Sequence, residues 1–154
     1  MSKFFACIAF VCIATGLIAA SPSRAAPAHA TAAQAKAMLE RAVVAIKADP
    51  AAAIAKFNRA DGGFRDRDLY VACFDTKTGI VQSHVDPKQL GVDIRTLKQP
   101  DGKPFGQSLF DAAKEGTIAT VDYEYPAPGS AQPVAKQSFV ARVGNEACLV
   151  GYYK

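Results

Sequence analysis

The chain has 154 residues and a formal charge of +4, with 18 Lys plus Arg against 14 Asp plus Glu. Half of the residues are hydrophobic and 21% are charged, which excludes a disordered chain, a collagen or a coiled coil. The length fits one ordinary domain and argues against two.

Residues 1–25 read as a secretory signal peptide. Lys3 supplies the positive start, residues 4–20 carry no charge, and Ser23 and Ala25 are the small side chains a signal peptidase reads. An uncleaved membrane anchor is the alternative, because about 20 uncharged residues suffice to span a bilayer. Cleavage removes two of the 18 basic residues, Lys3 and Arg24, and no acidic one, so the charge falls from +4 to +2. No basic run remains, and a nucleic-acid partner is not expected. Cleavage also removes Cys7 and Cys12. Cys73 and Cys148 are left, and in an oxidising compartment they can form one disulfide. They equally suit two small buried apolar positions.

Residues 31–48 form the clearest helix. Ala35, Met38, Leu39, Ala42, Val43 and Ile46 recur at three and four, a one-sided apolar stripe. Asp49 and Pro50 read as the cap and first turn of a shorter helix ending near Asn58, and Gly62-Gly63 stops it. The period then changes. Strands are expected at 69–74, 80–85, 118–125, 133–143 and 146–153. Residues 86–104 read as loop, and 105–114 as a short helix ended by Gly116. No βαβ alternation appears. The expectation is one α+β domain over residues 31–154. A long amino-terminal helix packs on a five-stranded antiparallel sheet, with a loop–helix insertion between strands two and three.

The run from Phe57 through Gly62-Gly63, Arg65, Arg67 and Leu69-Tyr70-Val71 resembles the hallmark of bacterial single Cache domains, extracytoplasmic sensor modules with a PAS-like sheet. Ser83-His84, Leu90-Gly91, Asp101-Gly102-Lys103, Tyr123-Glu124-Tyr125-Pro126, Lys136 and Gly151-Tyr152-Tyr153 resemble later parts of that pattern, in order. The resemblance covers residues 35–154. It departs in having no Trp near Tyr125. It implies a module that binds a small molecule, commonly a short organic acid, between the sheet and the loops over it. It also implies a periplasmic or secreted location and a membrane sensor or transporter as partner. The chain ends at Lys154 without an output domain, so a free-standing form is expected.

Within that frame the polar residues suited to an acid can be named. Arg67, at the start of the first strand, offers a planar fork to a carboxylate, or pairs with its acidic neighbours. Tyr70 shares a strand face with Ala72 and Phe74, and Tyr123 shares one with Tyr125. Such tyrosines give an apolar wall with a hydroxyl, or ordinary core packing. His84 and Lys136 complete the expected ligand set, and either can instead be solvated. No cofactor or metal is expected, since His84 with Asp86 falls short of the four ligands of a structural zinc. Ser83 and His84 adjoin on a strand and point oppositely, and no nucleophile elbow, P-loop or paired carboxylate occurs, so an enzyme is not expected. The competing reading is an interaction module that kept the fold and lost the pocket. A homodimer through the Ala-rich helix is compatible with the sequence.

Overall fold

The computed structural model describes residues 29–127 and 130–154; the expected signal peptide, with Cys7 and Cys12, lies outside them. Helix α1 spans Ala32–Ala48. Thr31 accepts from the Gln34 backbone N–H while the Gln34 side chain accepts from the Thr31 N–H, a closed capping box. Helix α2 spans Pro50–Asn58, with Asp49 capping Ala52 and Pro50 in the first turn, where a missing N–H costs nothing. Among the described residues, no helix is long and apolar enough to cross a membrane.

The sheet has six strands: β1 (Arg65–Asp66), β2 (Leu69–Asp75), β3 (Val81–Ser83), β4 (Ile118–Pro126), β5 (Pro133–Val143) and β6 (Glu146–Tyr153). The order is β4-β5-β6-β2, and the far edge of β2 is shared by β1 at its start and β3 at its end. All these pairings are antiparallel. The strand beyond the expected five is β1, whose two residues are too few to show a period. β3 is shorter than expected. After Ser83 the chain leaves the sheet for a 3-10 turn at Pro87–Gln89, opened by a proline that cannot donate to a ladder.

Both faces of the sheet are covered, which explains the near-continuous apolar run of β2. Leu69, Val71 and Cys73 face α1, with Met38, Leu39, Ala42 and Ile46 against them. Tyr70, Ala72 and Phe74 face the insertion, which contributes Ile94, Phe105 and Leu109. Each fully buried Leu, Ile or Phe contributes about 1.5–3 kcal/mol by leaving water. The insertion carries a second 3-10 turn, Ile94–Thr96, and helix α3, Gly106–Ala112. It is held down at two points. Arg95 pairs with Asp93 at 2.6 Å and donates to the Thr78 carbonyl at 2.9 Å, tying the insertion to the β2–β3 turn. At Gly106, a side-chain carbon would collide with the Ile94 carbonyl, so only glycine lets α3 approach so closely.

Cys73 and Cys148 stand directly opposite each other on β2 and β6 and are disulfide-bonded, on the α1 side. The bridge joins positions 75 residues apart. A loop that long, closed in the unfolded chain, corresponds to roughly 4–5 kcal/mol of stability. Replacing both cysteines by alanine is therefore expected to lower the unfolding free energy measured in urea by that much; a free energy equal to that of the oxidised wild type would show that the bridge carries no stability.

Candidate functional site

The insertion-facing side of the sheet holds one charge that the core does not neutralise. Lys136, on β5, is only 2% exposed. It lies directly opposite Tyr123 on β4 and Tyr153 on β6. Its ammonium donates to the hydroxyls of Tyr70 at 3.2 Å and Tyr153 at 3.4 Å. It also sits 4.7–5.6 Å from the ring centres of Tyr70, Tyr125 and Tyr153. Among the described residues, no carboxylate forms an ion pair with it within 4.0 Å. Burial lowers its pKa from 10.5 to about 8, with Asp68 a weaker influence in the opposite direction. Ring faces and hydroxyls replace part of the lost hydration, since a desolvated cation over a ring gains about 2 kcal/mol.

Gly151 makes this placement possible. It faces Ser138 across β5 and β6. A side-chain carbon there would come within 2.6 Å of both Lys136 Cε and Ser138 Oγ. The lysine stem thus passes over bare backbone.

Hydrogen-bond polarity gives the site a direction. The Asp86 N–H donates to His84 Nδ1 at 3.0 Å, so the ring proton is on Nε2, 3.4 Å from the Tyr70 hydroxyl. Burial lowers the His84 pKa and keeps the ring neutral. The Tyr70 oxygen then accepts from both His84 and Lys136, and its own proton is left to donate elsewhere. Burial also pushes the Tyr70 pKa well up, so the proton stays on. Tyr153 donates to the Pro126 carbonyl at 2.8 Å. Tyr123 is bonded to Ser138 at 2.8 Å and stacked on Phe105 of the insertion at 4.4 Å.

Tyr70, His84, Tyr123 and Tyr125 line a cavity of about 30 Å³ whose remaining walls are mostly apolar, among them Ala72, Val81, Leu109 and Leu149. That space admits about two water molecules. A hollow of about 210 Å³ opens beside it, sharing Tyr70, His84 and Tyr125 and bounded by Asp86, Pro126 and Tyr153. Lys136 lies behind this wall, one hydrogen bond from it through Tyr70.

Of the six residues expected to contact a ligand, five come together: Tyr70, His84, Tyr123, Tyr125 and Lys136. Arg67 stands apart. It occupies the β1–β2 turn at φ +53°, and its guanidinium is bonded to Asp66 at 2.9 Å and Gln34 at 3.0 Å. Tyr153 and Gln89 were not expected. Tyr153 was findable, because it alternates on its strand with Leu149 and Gly151. Gln89 sits on a 3-10 turn, where sequence carries no facial period.

A family model, "Single Cache domain 2", matches residues 10–152. The chain is 28% identical over 75 residues to the methyl-accepting chemotaxis protein McpP of Pseudomonas putida, covering 49% of this chain and 14% of that protein. The chain thus spans a small part of that relative's length. Among solved structures, a methyl-accepting chemotaxis protein from Vibrio parahaemolyticus superposes with a TM-score of 0.64 at 21% identity, over 79% of this chain and 86% of that one. A Cache chemosensory domain studied for carboxylic acid recognition superposes at 0.56 and 23% identity, over 79% and 86%. At these identities the structural likeness concerns the fold.

Two outcomes follow from the buried ammonium. Between pH 8 and 10.5 the unfolded chain binds more protons at Lys136 than the folded one, so this group makes stability rise with pH across that window. Lys136→Met is expected to remove that rise and to stabilise the protein at pH 7 by roughly 1–3 kcal/mol. Urea unfolding of both proteins from pH 7 to 9.5 checks this, and parallel pH profiles would refute it. Gly151→Ala is expected to push the ammonium out from among the tyrosines. Side-chain NMR should then show Lys136 titrating closer to its ordinary 10.5; a titration still near 8 would mean that the glycine is not what seats it.

Proposed function

The chain belongs to the single Cache domain family, and on that premise we propose that it is an exported sensory module that binds a short organic acid, rather than an enzyme. The observation that carries this reading is Lys136: a buried ammonium, hydrogen-bonded only to neutral groups, beside a cavity. A carboxylate at Tyr70 would accept the spare hydroxyl proton, and the Lys136 ammonium hydrogen-bonded behind that hydroxyl would stabilise its charge. The apolar cavity beyond would hold two or three carbons. Its size suits acetate-sized to butyrate-sized acids and rejects aromatic ones. Tyr125 and His84 border the entrance, and Arg67 has no part in this arrangement. The carboxylic acid recognition described for one structural relative supports the ligand class. The chemoreceptor relatives support a role in which ligand occupancy is reported to a partner at the membrane, a sensor or a transporter. Action in the periplasm or outside the cell accords with the extracytoplasmic setting of the family.

The test is a thermal-shift series with acetate, propionate, lactate and pyruvate, since a ligand that binds only the folded state raises its melting temperature. The expected result is a shift with at least one acid. That shift is lost in Lys136→Met and kept in Arg67→Ala. Flat responses to all four would remove the acid-binding reading and leave an interaction module. Binding should also depend on pH. The carboxylate favours the charged lysine, whose pKa is about 8 in the free protein. Affinity is then expected to be about tenfold weaker at pH 9 than at pH 7, measured by calorimetry. Constant affinity over that range would mean the ammonium does not bind the acid.

A further inference from the structure

The cavity's polar groups differ in one respect. Tyr123 is satisfied by Ser138, and His84 by the Asp86 backbone and Tyr70. The Tyr70 oxygen is doubly used and retains one donor. Gln89 is the exception. It lines the same cavity, from the 3-10 turn Pro87–Gln89, and its carboxamide oxygen is buried with no donor of the protein bonded to it. The neighbouring walls, Ile94, Leu97 and Leu109 among them, have no side-chain donor to offer. A buried acceptor left unmatched is costly, and the cost is recovered only when a donor enters. A carboxylate cannot supply one, and neither can an alkyl chain. A hydroxyl can.

We propose that Gln89 makes this site selective for hydroxylated short acids, its carboxamide oxygen accepting the hydroxyl proton of the ligand while Tyr70 and Lys136 hold the carboxylate. This rests on the acid-binding reading above and adds the second polar function of the ligand. A site that binds a hydroxyl discriminates against the analogue lacking it, because the protein group is then buried unpaired. The turn orientation also matters: the Gln89 backbone is fixed by its N–H to the Asp86 carbonyl at 3.1 Å and by Val92 donating to its own carbonyl at 3.2 Å. The side chain is therefore presented from a defined point rather than from a free loop.

The experiment compares lactate, propionate and pyruvate by calorimetry on the full chain and on Gln89→Leu and Gln89→Met. Two apolar replacements guard against one that packs badly, and the ligand-free melting temperature reports folding. In the wild type, lactate is expected to bind about tenfold more tightly than propionate. In both variants the ratio should fall to about one, with propionate binding retained. Propionate binding as tightly as lactate in the wild type overturns the proposal, as does an unchanged ratio in the variants. Pyruvate as the tightest ligand overturns it too, since the amide nitrogen would then face inward. If no acid binds the wild type, the acid-binding reading itself has failed; if propionate binds and lactate gains nothing, only the role of Gln89 has.

Discussion

The ammonium of Lys136 is held inside a sheet-and-helix core with no acid among the described residues paired to it, and much of the insertion-facing side is arranged around that fact. A buried charge must find substitutes for water. Here they come from three strands. β2 supplies Tyr70, β4 supplies Tyr125, and β6 supplies Tyr153 together with the bare backbone of Gly151. β5 supplies the lysine itself. The pairing register sets the lysine opposite Tyr123 and Tyr153. A one-residue slip of β5 would turn Lys136 to the α1 side and break every one of these contacts. The charge and the register therefore specify each other.

The two faces of the sheet are built differently. The α1 side is packed with aliphatic residues and bridged by Cys73–Cys148. The insertion side is aromatic and polar, and encloses a cavity. The bridge joins β2 to β6, the two strands that also carry Tyr70 and Tyr153. Fixing those strands to each other fixes the separation of the two hydroxyls that hold the ammonium. The staple thus lies on one face and acts on the geometry of the other. The insertion, anchored by Arg95 and by the close approach at Gly106, presses Phe105 onto Tyr123 and completes the wall.

Sequence periodicity exposed most of this. The apolar stripe of the first helix, the Asp49-Pro50 start and the alternation of Tyr70, Ala72 and Phe74 are local signals, and the structure carries them over. Lys136 and the tyrosines were legible because alternation along a strand assigns each to a face. Arg67 was misplaced for a physical reason. Its fork suits a carboxylate, but it sits on a two-residue turn between β1 and β2, with positive φ. That turn directs the side chain to Asp66 and Gln34. Whether a turn residue points toward a pocket depends on backbone angles that no hydrophobic pattern encodes. Gln89 was invisible for the same reason. β1 was missed because two residues have no period.

A lysine of this kind destabilises the free protein and, on the proposed reading, gives a ligand something to complete. An aspartate beside Lys136 would remove the penalty and also remove the reason for an acid to bind, since the charge would already be matched. Tyrosine is a weaker substitute. It eases the ammonium into the core through ring faces and hydroxyl oxygens, yet a carboxylate can still outcompete it. Three tyrosines and no carboxylate within bonding distance therefore hold the cation in an intermediate state, folded but unmatched. Asp68, which raises the Lys136 pKa only weakly, is engaged by the Ala30 N–H and His29. On the proposed reading, an acid bound at Tyr70 would offset the cost of the unmatched charge, and the buried lysine would couple occupancy to the rigidity of the strands around it. On that reading, the coupling a sensory module requires follows from one buried charge that has no counterion among the described residues.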